Sequence, residues 1–158
     1  MGKGTLFSRD FVICSMIAFF YIMMFFLTFT GMTAYVRDEF RTDSMMAAIA
    51  VSIFIVGDLI ARLFSDRIIG RLGLRMTAVV SLLVSSILSI MYLVAWDVAS
   101  ICVLRLAHGI TYGAMGTAVN TKVSLSIPSE RVGEGMGLFM TSVSIGSALG
   151  PMACMMLS

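Results

Sequence analysis

Long, uninterrupted apolar runs dominate the sequence. Residues 11–36 hold 26 positions without a charge, residues 76–96 hold 21 and residues 135–158 hold 24. Two further runs, 45–64 and 98–121, are apolar apart from two ionisable residues each. A helix needs about 20 apolar residues to cross the hydrocarbon core of a bilayer, so these five runs predict five transmembrane helices. None of them alternates apolar with polar positions, which argues against a β-barrel.

Composition agrees with an all-α, polytopic membrane helix bundle. The chain of 158 residues is 59% hydrophobic and 13% charged, whereas an ordinary soluble domain has about 25% charged residues. A soluble globular class is therefore excluded. The formal charge is only +2 and the basic residues are scattered, so the partner that composition predicts is membrane lipid and not nucleic acid.

Candidate catalytic and metal-ligating residues are sparse. Cys14, Cys102 and Cys154 are odd in number and far apart, so neither a disulfide framework nor a zinc site is predicted. His108 is the sole histidine, and Asp58 is the sole carboxylate inside a predicted span. An intramembrane enzyme needs a nucleophile, metal ligands or paired carboxylates, so we predict neither an enzyme nor a metal or other cofactor.

Basic residues in the short connections predict the orientation, since Lys and Arg favour the cytoplasmic side. One side of the predicted bundle carries Lys3, Arg9, Arg67, Arg71, Arg75, Lys122 and Arg131, and the other only Arg37 and Arg41. The N-terminus is therefore expected in the cytoplasm, with the chain integral to the cell's inner membrane. Tyr92 and Trp96 are expected in an outer aromatic belt.

Polar residues in the fourth span are candidates for function. A charge at mid-bilayer costs about 2.5–3.5 kcal/mol on insertion scales. Arg105, His108 and Tyr112 are spaced i, i+3 and i+7, which places them on nearly one helix face. Arg105 either snorkels to the outer surface or lines a proton or substrate route. His108 is either a titratable relay or a hydrogen-bonded packing residue.

The second span carries Asp58 and Arg62 at i and i+4, the favourable order for an intrahelical ion pair. This pair either neutralises itself or takes part in coupling. In the fourth span, Gly109, Gly113 and Gly116 form a small-residue surface that lets a neighbouring helix approach closely.

The fifth span carries Gly137, Gly146, Gly150 and Pro151. A proline inside a helix removes one backbone hydrogen bond and kinks the helix, which membranes tolerate where neighbours repair the loss. We therefore predict a tightly packed, bent helix.

Two of these patterns resemble motifs of the major facilitator superfamily. The segment from Arg105 to Gly109 is similar to the Arg-x-x-x-Gly motif of that family's helix four, whose arginine is tied to proton coupling. The spacing from Gly137 to Pro151 resembles the opening of the antiporter signature of its proton-coupled efflux members. The closing glycine pair of that signature is replaced by Cys154 and Met155.

Residues 66–75 resemble the family's conformational-gating loop, Gly-x-x-x-Asp-Arg-x-Gly-Arg-Arg/Lys. The motif positions carry, in order, Asp66, Gly70, Arg71, Gly73, Leu74 and Arg75, with Arg67 between the first two. The loop acid that latches one conformation in the family is therefore replaced by glycine. Asp66, one helical turn earlier, is the candidate to substitute for it. That hypothesis fails if Asp66→Asn leaves transport and the conformational balance unchanged.

The resemblance covers almost the whole chain and implies alternating access. Such transporters have two halves with substrate bound between them. Residues 1–158 are thus expected to form an N-terminal domain without helix six and the C-terminal half, through truncation or an incomplete sequence. The intact protein is expected to export a small molecule against inward proton flow, with the missing half or another membrane protein completing the pathway. The alternative is a non-transporting membrane protein that serves as an assembly or regulatory partner.

Overall fold

The computed structural model describes residues 6–157, and within that range the regular structure is helical. Lys3 and Ser158, used above for orientation and for the end of the fifth span, lie outside it. Four long helices follow one another: α1 (Arg9–Glu39), α2 (Ser44–Met91), α3 (Val98–Ser126) and α4 (Val132–Leu157). Short 3-10 turns cover Tyr92–Val94 and Ser129–Arg131. The prediction of an all-α membrane bundle is confirmed, since each long helix is apolar and long enough to cross a bilayer.

Helix α2 contains the residues of the second and third predicted spans. It is interrupted at Gly73, whose backbone angles are φ 77° and ψ 159°. Positive φ is costly for residues with a Cβ atom, so glycine suits this break. The break divides α2 into a first arm, 44–72, and a second arm, 74–91. At 1.5 Å per residue the arms are about 44 and about 27 Å long, against about 30 Å of hydrocarbon.

The helices extend beyond the apolar runs. α1 continues through Arg37 and Asp38, the first arm of α2 continues through Asp66 and Arg67, and α3 ends at Ser126. The segment 65–75, expected as a loop, is helical except at Gly73. The reason is that charge marks where a helix leaves the hydrocarbon and not where its backbone hydrogen bonding stops.

Side-chain caps fix two of the helix starts. The carboxylate of Asp43 accepts a hydrogen bond from the Met46 amide at 2.7 Å and begins α2. Asp97 accepts one from the Ser100 amide at 2.8 Å and begins α3. Both bonds satisfy amides that have no partner inside the helix.

The chain divides into two compact units, Gly31–Ala118 on the one hand and Met1–Thr30 with Val119–Ser158 on the other. In the first unit both arms of α2 pack on α3. The first arm runs parallel to α3, with Phe54 facing Gly109 and Asp58 facing Gly113. The second arm runs antiparallel to α3, with Ser85 bonded to Thr111 at 2.7 Å. The first arm, the second arm and α3 therefore alternate in direction, as consecutive membrane crossings must.

In the second unit α1 and α4 run parallel and touch at glycines. A Cβ atom on Gly146 would lie 2.6 Å from the carbonyl oxygen of Phe19, and one on Gly150 would lie 2.6 Å from that of Met23. The α1 backbone therefore contacts α4 where α4 has no side chains. An ion pair of 2.6 Å between Asp10 and Lys122 joins the start of α1 to the end of α3.

Candidate functional site

Arg105 lies two turns into α3 and its side chain is buried, with 1% of its surface exposed. The guanidinium carbon is 5.4 Å from the centre of the Phe54 ring and 6.0 Å from that of Tyr92. A cation within about 6 Å of an aromatic face is stabilised, by about 2 kcal/mol when water is excluded. The two rings thus flank the charge, a geometry that does not match an arginine snorkelling to the surface.

The hydrogen-bonding capacity of Arg105 is incompletely used. Its Nε and Nη2 atoms are buried and have no hydrogen-bond partner among residues 6–157. No carboxylate of that range lies in ion-pair distance of Arg105. A buried charge with unpaired donors is costly, so such groups in membrane proteins usually mark a route for ions or substrates.

His108 lies one turn beyond Arg105 and is packed by the same two rings. Its Nδ1 atom is 3.3 Å from the hydroxyl oxygen of Tyr92, and its ring centre is 5.6 Å from that of Phe54. The Tyr112 ring continues the contact, with its centre 5.2 Å from that of Phe54. The face predicted from the i, i+3, i+7 spacing is therefore covered by Phe54 from the first arm of α2 and by Tyr92 from the 3-10 turn after the second arm.

Glycines allow this close approach. The Cβ of an alanine at Gly57 would lie 3.0 Å from the amide nitrogen of Ile110, and one at Gly109 would lie 2.9 Å from the carbonyl carbon of Phe54. The backbones of the first arm and α3 are therefore in direct contact, and Phe54 is brought against Arg105. Gly113 continues this surface, whereas Gly116 is looser, with only the Arg62 guanidinium near its side-chain position at 3.7 Å.

Asp58 and Arg62 form the predicted intrahelical ion pair, with Arg62 Nε 3.0 Å from Asp58 Oδ2. Their side chains are 21% and 44% exposed, so the pair is at the margin of the packed region. It is not joined to Arg105 by an ion pair. A Cβ on Gly113 would lie 2.9 Å from Asp58 Oδ1, which shows how closely the acid lies against α3.

The residues of the gating-loop resemblance lie around the break in α2. Asp66 is exposed and has no ion-pair partner among residues 6–157. Arg67 lies over the Phe64 ring at 5.6 Å. The remaining members, Gly70, Arg71, Gly73 and Arg75, are exposed as well. The guanidinium groups of Arg67, Arg71 and Arg75 and the carboxylate of Asp66 form a charged surface around Gly73.

The four residues of the antiporter resemblance, Gly137, Gly146, Gly150 and Pro151, do not share one environment. Gly146 and Gly150 are buried against α1, whereas Gly137 has open space where a side chain would be. Pro151 lies inside α4, directly after Gly150. Among the described residues, the two buried glycines therefore allow the α1 backbone to pack directly on α4.

Sequence reasoning missed Phe54 and misplaced Tyr92. Phe54 is one of many apolar residues in its run, and only the glycine contact selects it. Tyr92 was expected in the aromatic belt, but 9% of its surface is exposed, against 82% for Trp96. The correction follows from the tight turn at residues 95–97, which folds the second arm back on α3.

The protein-family comparison agrees with this architecture. The family model of the Major Facilitator Superfamily matches residues 14–158. The chain belongs to the major facilitator superfamily. No curated protein and no solved structure gives a significant match. Arg105 is thus a buried cation in the α3 helix of a chain of this transporter family.

Proposed function

We propose that this facilitator chain forms part of a proton-coupled exporter of a small molecule, with Arg105 and His108 serving the coupling. The observation that carries the proposal is the burial of Arg105 without an acid to neutralise it. In a membrane such a charge is retained where it acts on protons, ions or substrate. The resemblance of residues 105–109 to the coupling motif supports the same assignment.

Arg105 and His108 have different roles in this proposal, because one is permanently charged and the other can exchange a proton. An arginine remains charged at any physiological pH, so Arg105 acts through its field and its free donors. His108 gains and loses a proton near neutrality in an unperturbed setting and lies one turn away. The positive charge of Arg105 would repel a proton bound at His108. An acid or a substrate bound beside Arg105 would change this repulsion, and with it the proton affinity of His108. This linkage is the element that coupled transport needs.

Alternating access requires a second wall for the pathway. Facilitators bind substrate near the bilayer midplane between two helix bundles that rock against each other. We propose that the described helices supply one wall and that a further bundle, in the same chain or another, supplies the second. Direct contacts at Gly57, Gly109 and Gly113 would let α3 and the first arm of α2 move together as a rigid body.

We propose a cytoplasmic N-terminus in the inner membrane, from the distribution of Lys and Arg. This orientation places the break at Gly73 and the connection between α3 and α4 on the cytoplasmic side. The cytoplasmic surface then includes Arg67, Arg71 and Arg75, where the gating-loop resemblance lies.

The test is flux through the intact transporter in proteoliposomes with an imposed pH gradient, using a panel of small organic compounds. Arg105→Ala is expected to reduce gradient-driven flux at least tenfold, and Arg105→Lys to restore only part of it because lysine lacks the planar fork of donors. Arg41→Ala, in the exposed connection before α2, is the control and should transport normally. Undiminished, pH-dependent flux in Arg105→Ala would contradict the proposal. No flux with any compound in the unaltered protein would favour the non-transporting alternative.

A further inference from the structure

The Tyr92 side chain contacts both ionisable residues of the site. Its ring is one of the two that flank the Arg105 guanidinium, and its hydroxyl is within hydrogen-bond distance of His108. It reaches them from the 3-10 turn that ends the second arm, while both partners lie on α3. We propose that Tyr92 is a positioning residue that fixes the ring orientation and the tautomer of His108. The importance of this for coupling rests on the function proposed above.

The backbone around Tyr92 is held in place. The Ala95 amide donates to the Tyr92 carbonyl oxygen at 3.4 Å and closes the turn. Leu93 in this turn and Trp96 just after it are 85% and 82% exposed, whereas the Tyr92 side chain faces inward. The hydrogen-bonded turn therefore determines the position of the Tyr92 side chain.

A second link ties the same arm to His108. Thr111 Oγ1 donates to the carbonyl oxygen of His108 at 2.7 Å, and Ser85 Oγ lies 2.7 Å from Thr111 Oγ1. Since the single hydroxyl hydrogen of Thr111 is directed at His108, Ser85 must be the donor in the second bond. The backbone of His108 is thus fixed through Thr111, and its ring is fixed by Tyr92.

The direction of the bond between Tyr92 and His108 follows from the neighbouring charge. The His108 ring is packed by Phe54 on the first arm and by Tyr92 in the 3-10 turn, and Arg105 lies one turn before it on the same helix. Of these only Arg105 is charged, and a cation beside a phenol attracts the lone pairs of its oxygen. The phenol hydrogen then points to Nδ1, which accepts, so the neutral imidazole carries its hydrogen on Nε2. Nε2 is consequently the nitrogen left to exchange protons.

The test uses the fact that His108 is the sole histidine of the chain. Labelling with [15N]histidine gives a single pair of ring nitrogen resonances for the full chain in lipid nanodiscs. At a pH where the ring is neutral, we expect a protonated Nε2 and an Nδ1 whose shift is that of a hydrogen-bond acceptor. Tyr92→Phe should move the Nδ1 resonance to that of an unbonded nitrogen and mix the two tautomers. The phenyl ring is retained, so the helical content should be unchanged.

Tyr112→Phe is the matched control, because it deletes the same hydroxyl from a ring that also packs on Phe54. It should leave the tautomer of His108 unchanged. The proposal is overturned if Tyr92→Phe leaves both nitrogen resonances unchanged, or if Tyr112→Phe moves them equally. These spectra need no transport, so they succeed or fail independently of the coupling role of Arg105. In the intact transporter, Tyr92→Phe should displace the pH profile of flux, and Tyr112→Phe should not.

Discussion

The contact between the first arm of α2 and α3 predicts a strong effect of one added methyl group, Gly109→Ala. The new Cβ would meet the carbonyl oxygen of Phe54 first, and it would lie 2.9 Å from the carbonyl carbon of Phe54 and 3.0 Å from the amide nitrogen of Asp58. Ordinary van der Waals contact begins at 3.4 Å, which is 0.5 Å more than the distance to the carbonyl carbon. The two backbones must therefore separate by at least 0.5 Å. All three obstacles are main-chain atoms, which no rotamer change can remove.

Overpacking of this kind typically costs about 1–3 kcal/mol. The folding equilibrium of the bundle should therefore fall about 5- to 150-fold. Separation would also move Phe54 away from Arg105. Gly116→Ala on the same helix is the control, since its Cβ would meet only the Arg62 guanidinium at 3.7 Å. Both variants gain the same intrinsic helix propensity from alanine, so the difference between them isolates the packing.

The assay is denaturation by sodium dodecyl sulfate of the chain in mixed micelles, followed by circular dichroism and by thermal unfolding. Gly109→Ala should unfold at lower denaturant and lower temperature than the unaltered chain, and Gly116→Ala at nearly the same point or higher. Equal stability of the two alanine variants would refute the close backbone contact.

Two further predictions concern the break in α2 and the start of α4. Gly73→Ala should destabilise the chain by about 1–3 kcal/mol because φ is 77° at that position. Gly70→Ala is the control, since its Cβ would meet nothing within 4 Å, and it should not destabilise the chain. The same denaturation assay compares them, and equal stability of the two variants would contradict the break in α2. Arg131 donates two hydrogen bonds to Glu134 at 2.8 and 2.7 Å, which lowers the pKa of that carboxyl. The pair therefore stabilises the start of α4 above the ordinary carboxyl pKa, and this contribution is lost as pH falls through the lowered value. Carboxyl 13C NMR should show the Glu134 pKa rising in Arg131→Gln, and an unchanged pKa would show that the ion pair is absent in solution.

The parts of the fold that the sequence could predict are those that depend on local pattern. Apolar runs of 20 or more residues predicted the apolar helices because the bilayer imposes a length. Helical spacing predicted the ion pair of Asp58 with Arg62 and the common face of Arg105 and His108. These relations lie within one helix, so periodicity alone determines them.

The remaining features depend on how helices pack against one another. Neither Phe54 nor Tyr92 carries a local mark that distinguishes it from other aromatic residues, and their contacts with Arg105 arise from the glycine contacts and from the turn before α3. Gly146 and Gly150 were predicted to pack closely, but their partner, α1, was not identified. The helical segment at 65–72 was missed because its charges suggested a loop, although charge does not prevent a helix from continuing.

The central claim is that the chain crosses the membrane at each of five segments, with the break at Gly73 separating two crossings. It is tested most directly by labelling introduced cysteines in intact cells with a membrane-impermeant maleimide. Cys14, Cys102 and Cys154 are first replaced by serine, and Glu39→Cys, Arg75→Cys, Asp97→Cys and Glu130→Cys are then introduced one at a time. We expect the cysteines at 39 and 97 to react in intact cells, and those at 75 and 130 to react only after permeabilisation. Reaction of positions 75 and 97 from the same side would contradict the account.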